Sequence, residues 1–285
     1  CAALLRQLPQ VDDLLRHPEL APAVRPLPRL LAAAVVRRVL AAARRRINAA
    51  APETLPPRLD ETALLALDET RSPALATPDA RQLDAWLQLV KTHDSEALQR
   101  QFYREMARRG LARFVQDIVA PLITRVGEAW SRNELGIFEE HLFSQHLEKL
   151  FRTTLASMAP LAGSPRVLLT TLSGEEHTLG LLMVEALLVI EDAYPVLLGP
   201  QTPIDEIVRA AQIKQVDVVC LSFSTAYSPA LAAQGLRDLR RALPTEMGLW
   251  AGGHGVKPIR KPIDGVCLVP EFRDLYDCLA RWRSG

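Results

Sequence analysis

The sequence predicts an α/β protein in which helices come first and a doubly wound parallel sheet comes second. Three observations carry this. Short apolar, β-branched runs at 166–172, 194–198, 216–223, 248–251 and 266–269 have the length of buried strands. Helical patterns fill the gaps at 178–191, 203–214 and 229–243, with a last one at 272–282. Strands alternating with helices give parallel pairing, and five such strands make a flavodoxin-like sheet. Before residue 160, apolar residues recur at helical spacing with short connections, which favours an antiparallel four-helix bundle over 79–160.

Composition bounds the rest. The chain has 285 residues, 48% of them hydrophobic, enough for one large or two ordinary globular domains. A net charge of +1 gives no overall basic field, so a nucleic-acid or membrane site would have to be local. Cys1, Cys220, Cys267 and Cys278 show no C-x-x-C spacing, and two lie in apolar strand-like runs. They are expected to be reduced and buried, which points to the cytoplasm. No apolar run approaches the ~20 residues that span a bilayer, and the first residues do not form a signal peptide. The chain opens on Cys1 rather than Met, as a fragment or a processed chain would.

Taken in order, 1–58 is a helical segment rich in Ala, Leu, Arg and Pro. A short capped helix is expected at 8–15 and a longer one at 30–47, ending in Arg44-Arg45-Arg46. Those arginines fit a solvated helix end that complements the dipole, or a nucleic-acid contact. Prolines at 52, 56, 57, 73 and 78 make 59–78 a linker around one short helix. In the bundle, helices are expected at 80–90, 96–109 with Ser95 as cap and Gly110 as stop, 111–130 and 137–155. Residues 159–165, rich in Pro and Gly, read as the linker to the α/β domain, 165–285.

The first strand of that domain ends in a loop, Ser173-Gly174-Glu175-Glu176-His177-Thr178-Leu179-Gly180, before the next helix begins. In an open α/β sheet such a loop lies at the carboxyl ends of the strands, where ligands bind. Glu175 can accept from one imidazole nitrogen of His177, fix its tautomer and leave the other for a metal. Gly180 removes a side chain where a flat ligand would approach the backbone. On these residues alone His177 fits a helix cap as well as a metal ligand. The same openness holds for Trp130, Glu140 and His141: a core tryptophan with a surface Glu-His pair, or a ligand contact.

The motif Glu175-x-His177-x-x-Gly180 after a first strand resembles the signature of cobalamin-binding domains. The resemblance implies that His177 replaces the cofactor's own base as lower cobalt ligand. Ser222 and Ser224 at the third strand end, and Gly252-Gly253 after the fourth, fall in the order that lines the slot for the nucleotide tail. The loop 199–203 after the second strand is expected to flank the corrin or that tail. Upstream, Trp130 followed after nine residues by Glu140-His141 is similar to the Trp-x9-Glu-His motif of light-responsive, MerR-type cobalamin regulators of the CarH and LitR type. In that family the Trp covers the upper corrin face, and the Glu and His contact the adenosyl group.

The resemblance implies a non-catalytic sensory or transcriptional regulator that holds adenosylcobalamin, with methylcobalamin as alternative, and self-associates as a homo-oligomer. Two departures qualify the likeness. Ser131 stands where the well-known light sensors carry a histidine after the tryptophan, and serine is a poor cobalt ligand. His146 could substitute only by turning inward. The usual winged-helix residues of MerR proteins are also absent from this sequence, so direct DNA binding is not expected of it. That keeps two alternatives open: a corrinoid shuttle protein for a methyltransferase system, and an antirepressor acting on a separate DNA-binding partner. The first ~55 residues resemble the N-terminal module of selenocysteine synthase, without any sign of that enzyme's pyridoxal-phosphate domain.

Overall fold

The structure, a computed structural model, describes residues 77–156, 158 and 163–284. The expectations for 1–58 and for most of 59–78 lie outside them. The described residues divide into two compact units, one running up to His146, the other combining Leu147–Leu155 with the α/β layer.

The helical unit begins with α1 (Ala80–Lys91), capped by Asp79, whose side chain accepts from the Gln82 amide at 2.9 Å. Helix α2 (Ser95–Arg109) comes next. Its cap is Asp94, accepting from the Ala97 amide at 2.9 Å, and not Ser95 as the sequence suggests. The carboxylate accepts more strongly than a hydroxyl and complements the helix dipole. Gly110, at φ 78°, ends α2 and turns the chain directly into α3, made of Leu111–Phe114, a π-helical turn Val115–Val119 and Ala120–Ser131 in unbroken succession. Pro121 lies just beyond the π turn, where its missing N–H disturbs the helical ladder least. The last bundle helix, α4, is Ile137–Ala156. Buried Leu83, Trp86, Phe102, Met106, Phe114, Ile118, Leu122 and Phe143 fill the interior of the helical unit.

In the α/β layer the strands are β1 (Arg166–Leu172), β2 (Tyr194–Thr202), β3 (Val218–Ser222), β4 (Gly248–Gly252) and β5 (Cys267–Val269). They are all parallel in the order β2-β1-β3-β4-β5. The connecting helices are α5 (Leu179–Ile190), α6 (Ile204–Ile213) and α7 (Pro229–Ala242), and α8 (Phe272–Ser284) packs last, beyond β5. Both side-chain parities of the central strands are buried: Leu168, Val219 and Leu221 on one face, Val167, Leu169 and Val218 on the other. A sheet covered by helices on both faces requires that.

Strand β2 continues through the residues expected to form a polar loop. Gly199 (φ 105°) and Gln201 (φ 57°) take left-handed backbone, the β1–β2 register shifts there, and the pairing resumes at Leu172–Thr202. Bulges of this kind let a strand absorb a Gly-Pro sequence without leaving the sheet.

The cysteine expectation is corrected in part. Helix α8 folds back beside β5 and joins Cys278 to Cys267 in a disulfide, with Cα atoms 6.8 Å apart. Cys220 is free and buried, and burial pushes its thiol up to about 12, which makes it inert. Among the described residues no helix is long and apolar enough to cross a membrane.

Candidate functional site: the loop after the first strand

The order β2-β1-β3 reverses direction of winding beside β1, so the loops after β1 and β3 diverge and leave a crevice at their carboxyl ends. Both sequence motifs of the α/β layer lie around this crevice. Glu175 is their common anchor. Its carboxylate is only 2% exposed. Oε1 accepts from the His177 amide at 3.0 Å and lies 2.6 Å from His177 Nδ1. Oε2 accepts from the Ser224 amide at 2.7 Å and from Ser224 Oγ at 2.8 Å.

Burial pushes the Glu175 carboxyl upward, but the bonds from the His177 ring, the Ser224 amide, the His177 amide and the Ser224 hydroxyl outweigh it. Together they hold the group at about 2 against an ordinary 4.5. A carboxylate that stays ionised sets the tautomer of His177: Nδ1 carries the proton it donates. The atom through which the ring would ligate a metal is then Nε2, on a side chain that is 59% exposed.

The loop is held from behind as well. Thr171 Oγ1 donates to the Glu175 carbonyl at 2.6 Å and accepts from the Gln201 amide at 2.8 Å, which ties β1, the loop and the bulged end of β2 together. Tyr227 donates to the Ser173 carbonyl at 3.3 Å, opposite Gly174 at φ 86°. Thr178, next to His177, donates to Glu148 of α4. Sequence reasoning missed Thr171 and Glu148. The signal for the first was available, since a polar Thr170-Thr171 pair at the end of an otherwise apolar buried strand needs partners.

The glycines have close-approach reasons. A Cβ on Gly180 would stand 2.3 Å from Ser222 Oγ, so Gly180 lets α5 pack directly on the end of β3. Gly253, at φ 91°, would put a Cβ 2.3 Å from the Phe223 carbonyl oxygen. Ser222, Ser224, Gly252 and Gly253 thus lie at or just beyond the β3 and β4 ends, with Ser224 bonded to the Glu175 clamp.

In the helical unit, Trp130 sits at the end of α3. The helix stops there because Asn133 takes left-handed backbone (φ 58°), with the Asn133 amide bonded to the Trp130 carbonyl at 2.9 Å. Helix α4 then starts under a clamp: Glu139 accepts from the Gly136 amide at 2.5 Å and pairs with His93 at 3.0 Å. The bond from Gly136 and the His93 contact hold the Glu139 carboxyl below its ordinary range.

Trp130 is 50% exposed, with Ile137, Phe138 and Leu142 exposed on the same unit. It is no core tryptophan. Glu140 accepts from Ser144 Oγ at 2.6 Å and lies 3.8 Å from His141, whose side chain is 71% exposed. Ser131 donates to the Glu128 carbonyl at 2.8 Å, and His146 Nδ1 lies 2.5 Å from the Leu142 carbonyl, so both are bonded within their own helices.

The helical unit thus carries an exposed Trp and a Glu-His pair, and the α/β layer a carboxylate-clamped histidine beside its switch point. The comparisons with known proteins show what the chain is similar to. Residues 82–153 match the family described as B12 binding domain, and residues 5–44 match selenocysteine synthase N terminal. The chain is 34% identical over 140 residues to the HTH-type transcriptional repressor CarH of Myxococcus xanthus, covering 48% of this chain and 46% of that protein. It is 29% identical over 150 residues to the repressor CarA of the same organism, covering 53% and 50%. The chain thus spans about half the length of the curated relatives it matches. The monomethylamine corrinoid protein of Methanosarcina barkeri shares the fold at a TM-score of 0.55 and 14% identity, over 69% of this chain and 96% of that one.

Proposed function

We propose that this chain is the cobalamin-binding part of a regulator that carries adenosylcobalamin and does no catalysis. His177 is the lower cobalt ligand through Nε2, and Trp130, Glu140 and His141 take the adenosyl side. Ser222, Ser224, Gly252 and Gly253 receive the nucleotide tail. The observation that carries this reading is the Glu175 clamp, which fixes the His177 ring at Nδ1 while leaving the side chain exposed. Imidazole is a suitable ligand for cobalt, and a carboxylate on the far ring nitrogen raises its basicity. Gly180 and Gly253 bring Ser222 and the Phe223 carbonyl close to the backbone, which packs the strand ends tightly around the clamp. When bound, the group supplies a cobalt–carbon bond that light can cleave.

What the residues do is orient and shield. Trp130 offers an indole face to an apolar group, and Glu140 offers a carboxylate to ribose hydroxyls. Release of such a group withdraws contacts from the helical unit alone, which is the differential interaction a switch needs. A corrinoid shuttle of the kind represented by the monomethylamine corrinoid protein is the second reading, favoured by the shared fold. Its upper face would have to open to partner enzymes. The likeness to CarH and CarA, the repressors, favours the first reading. No DNA-binding activity is proposed for these residues; a separate DNA-binding partner or a further part of the protein would supply it.

Titration of the protein with adenosylcobalamin in the dark, monitored by absorbance, tests this. Saturable binding is expected, with a spectrum that changes on green illumination and is lost in His177→Ala. Absence of binding to adenosylcobalamin and to methylcobalamin would remove both readings.

A further inference from the structure

The α/β unit carries a second concave feature on a different part of its surface. An open groove of about 760 Å³ runs along α7 between that helix and the segment joining β4 to β5. Its walls hold Arg237, Arg240, Arg241, Arg260 and Lys261 against the single carboxylate of Asp264. In a chain of net charge +1 this is a marked local excess.

The cations are not equivalent. Arg240 is committed to the fold, donating to the Met247 carbonyl at 2.7 Å, to the Leu243 carbonyl at 3.1 Å and to the Pro244 carbonyl. Arg241 pairs with Asp238 at 2.5 Å. Arg237 bonds a neutral acceptor, Gln234 Oε1, at 3.0 Å. Arg260 and Lys261, exposed on the opposite wall, have no ion-pair partner among the described residues. Two elements therefore present uncompensated cations across one groove.

The floor is apolar. Ala230 and Ala233 of α7 line it together with Ile259 and Ile263, and the two isoleucines also pack against the core of the sheet. The floor decides between anionic partners. Duplex DNA is bound through phosphates and has no use for an apolar floor. Single-stranded nucleic acid stacks its bases on aromatic side chains, and no aromatic residue lines the groove. From Pro229 to Arg241 the groove extends about 18 Å at ~1.5 Å per helical residue. That is the reach of roughly five or six residues of extended peptide.

We infer that this groove is a docking site for an acidic protein segment with interspersed apolar side chains, carboxylates meeting Arg237, Arg260 and Lys261 and apolar groups seated between α7 and Ile259-Ile263. The site does not depend on cobalamin. Its charges steer and register the partner, and its floor supplies the apolar burial.

The test is fluorescence anisotropy of the full chain with a labelled peptide of alternating Glu and Leu, a polyglutamate peptide of equal length, and a short DNA duplex. Saturable binding of the Glu-Leu peptide is expected, weakened by added salt. The double variant Arg260→Glu, Lys261→Glu should weaken it at least about tenfold. Arg237→Gln, on the other wall, should weaken it too, so that a folding failure of one variant does not decide the result. Absence of saturable binding, equal binding by the double variant with Arg237→Gln also unaffected, or tighter binding of polyglutamate or DNA would each overturn the proposal.

Discussion

A carboxylate that is 2% exposed must find donors or take up a proton, and Glu175 finds four. Its folded-state group sits at about 2 and its unfolded one near 4.5. A depressed folded value means the stabilisation is fully present above the unfolded value and is lost as pH falls from about 4.5 through about 2. Glu175→Gln should therefore be less stable than the parent at neutral pH, with a flatter acid limb between those values. Urea unfolding at a series of pH values checks it, and parallel acid limbs would contradict it. Gly180→Ala places a Cβ against Ser222 Oγ and should cost about 1–3 kcal/mol of overpacking. Adding Ser222→Ala removes the oxygen, and the double variant should recover most of that loss in the same unfolding experiment. The Glu175–His177 pair was legible in the sequence because its two residues stand two apart in one loop. Thr171 was not, because its partners, Glu175 and the Gln201 amide, come together only when the bulged β2 is in place.

Elements were legible where period and punctuation agree. Strand β1 appears with the bounds its apolar run implies, and α5, α6 and α7 end within a residue or two of their expected limits. Two boundaries differ for physical reasons. Gly199-Pro200 looks like a loop, yet left-handed backbone at Gly199 and Gln201 carries β2 on to Thr202. Asp94 outcompetes Ser95 as cap because an ionised acceptor binds the free amides more strongly. Asp94→Ala should cost about 1 kcal/mol, and Ser95→Ala only a few tenths, in thermal or urea unfolding. Equal losses would return the cap to Ser95. The bond from Thr178 to Glu148 of α4 belongs to this scale too, since it tethers the His177 loop to a helix that the sequence places far away. Thr178→Val should leave the unit folded while loosening the loop, seen as faster amide exchange from 175 to 179.

At the scale of the whole molecule, no local pattern in the sequence announces the Cys267–Cys278 disulfide, since only the return of α8 beside β5 brings the two residues together. The basic groove along α7 was equally hidden, because its cations come from segments about 20 residues apart. Trp130 with Glu140-His141 in one unit and Glu175-His177 in the other are the residues that the proposed function assigns to adenosylcobalamin. Self-association should then differ between dark and illuminated samples loaded with adenosylcobalamin, read by sedimentation velocity, and Trp130→Ala should abolish the difference. The proposed function stands or falls on the His177 imidazole holding the cobalt. The decisive experiment is the electron paramagnetic resonance spectrum of the protein loaded with cob(II)alamin, grown with ordinary and with nitrogen-15 histidine. A nitrogen splitting that turns from triplet to doublet with the labelled histidine and vanishes in His177→Ala is expected. A triplet unchanged by the label would mean that the cofactor keeps its own base and that His177 is not its ligand.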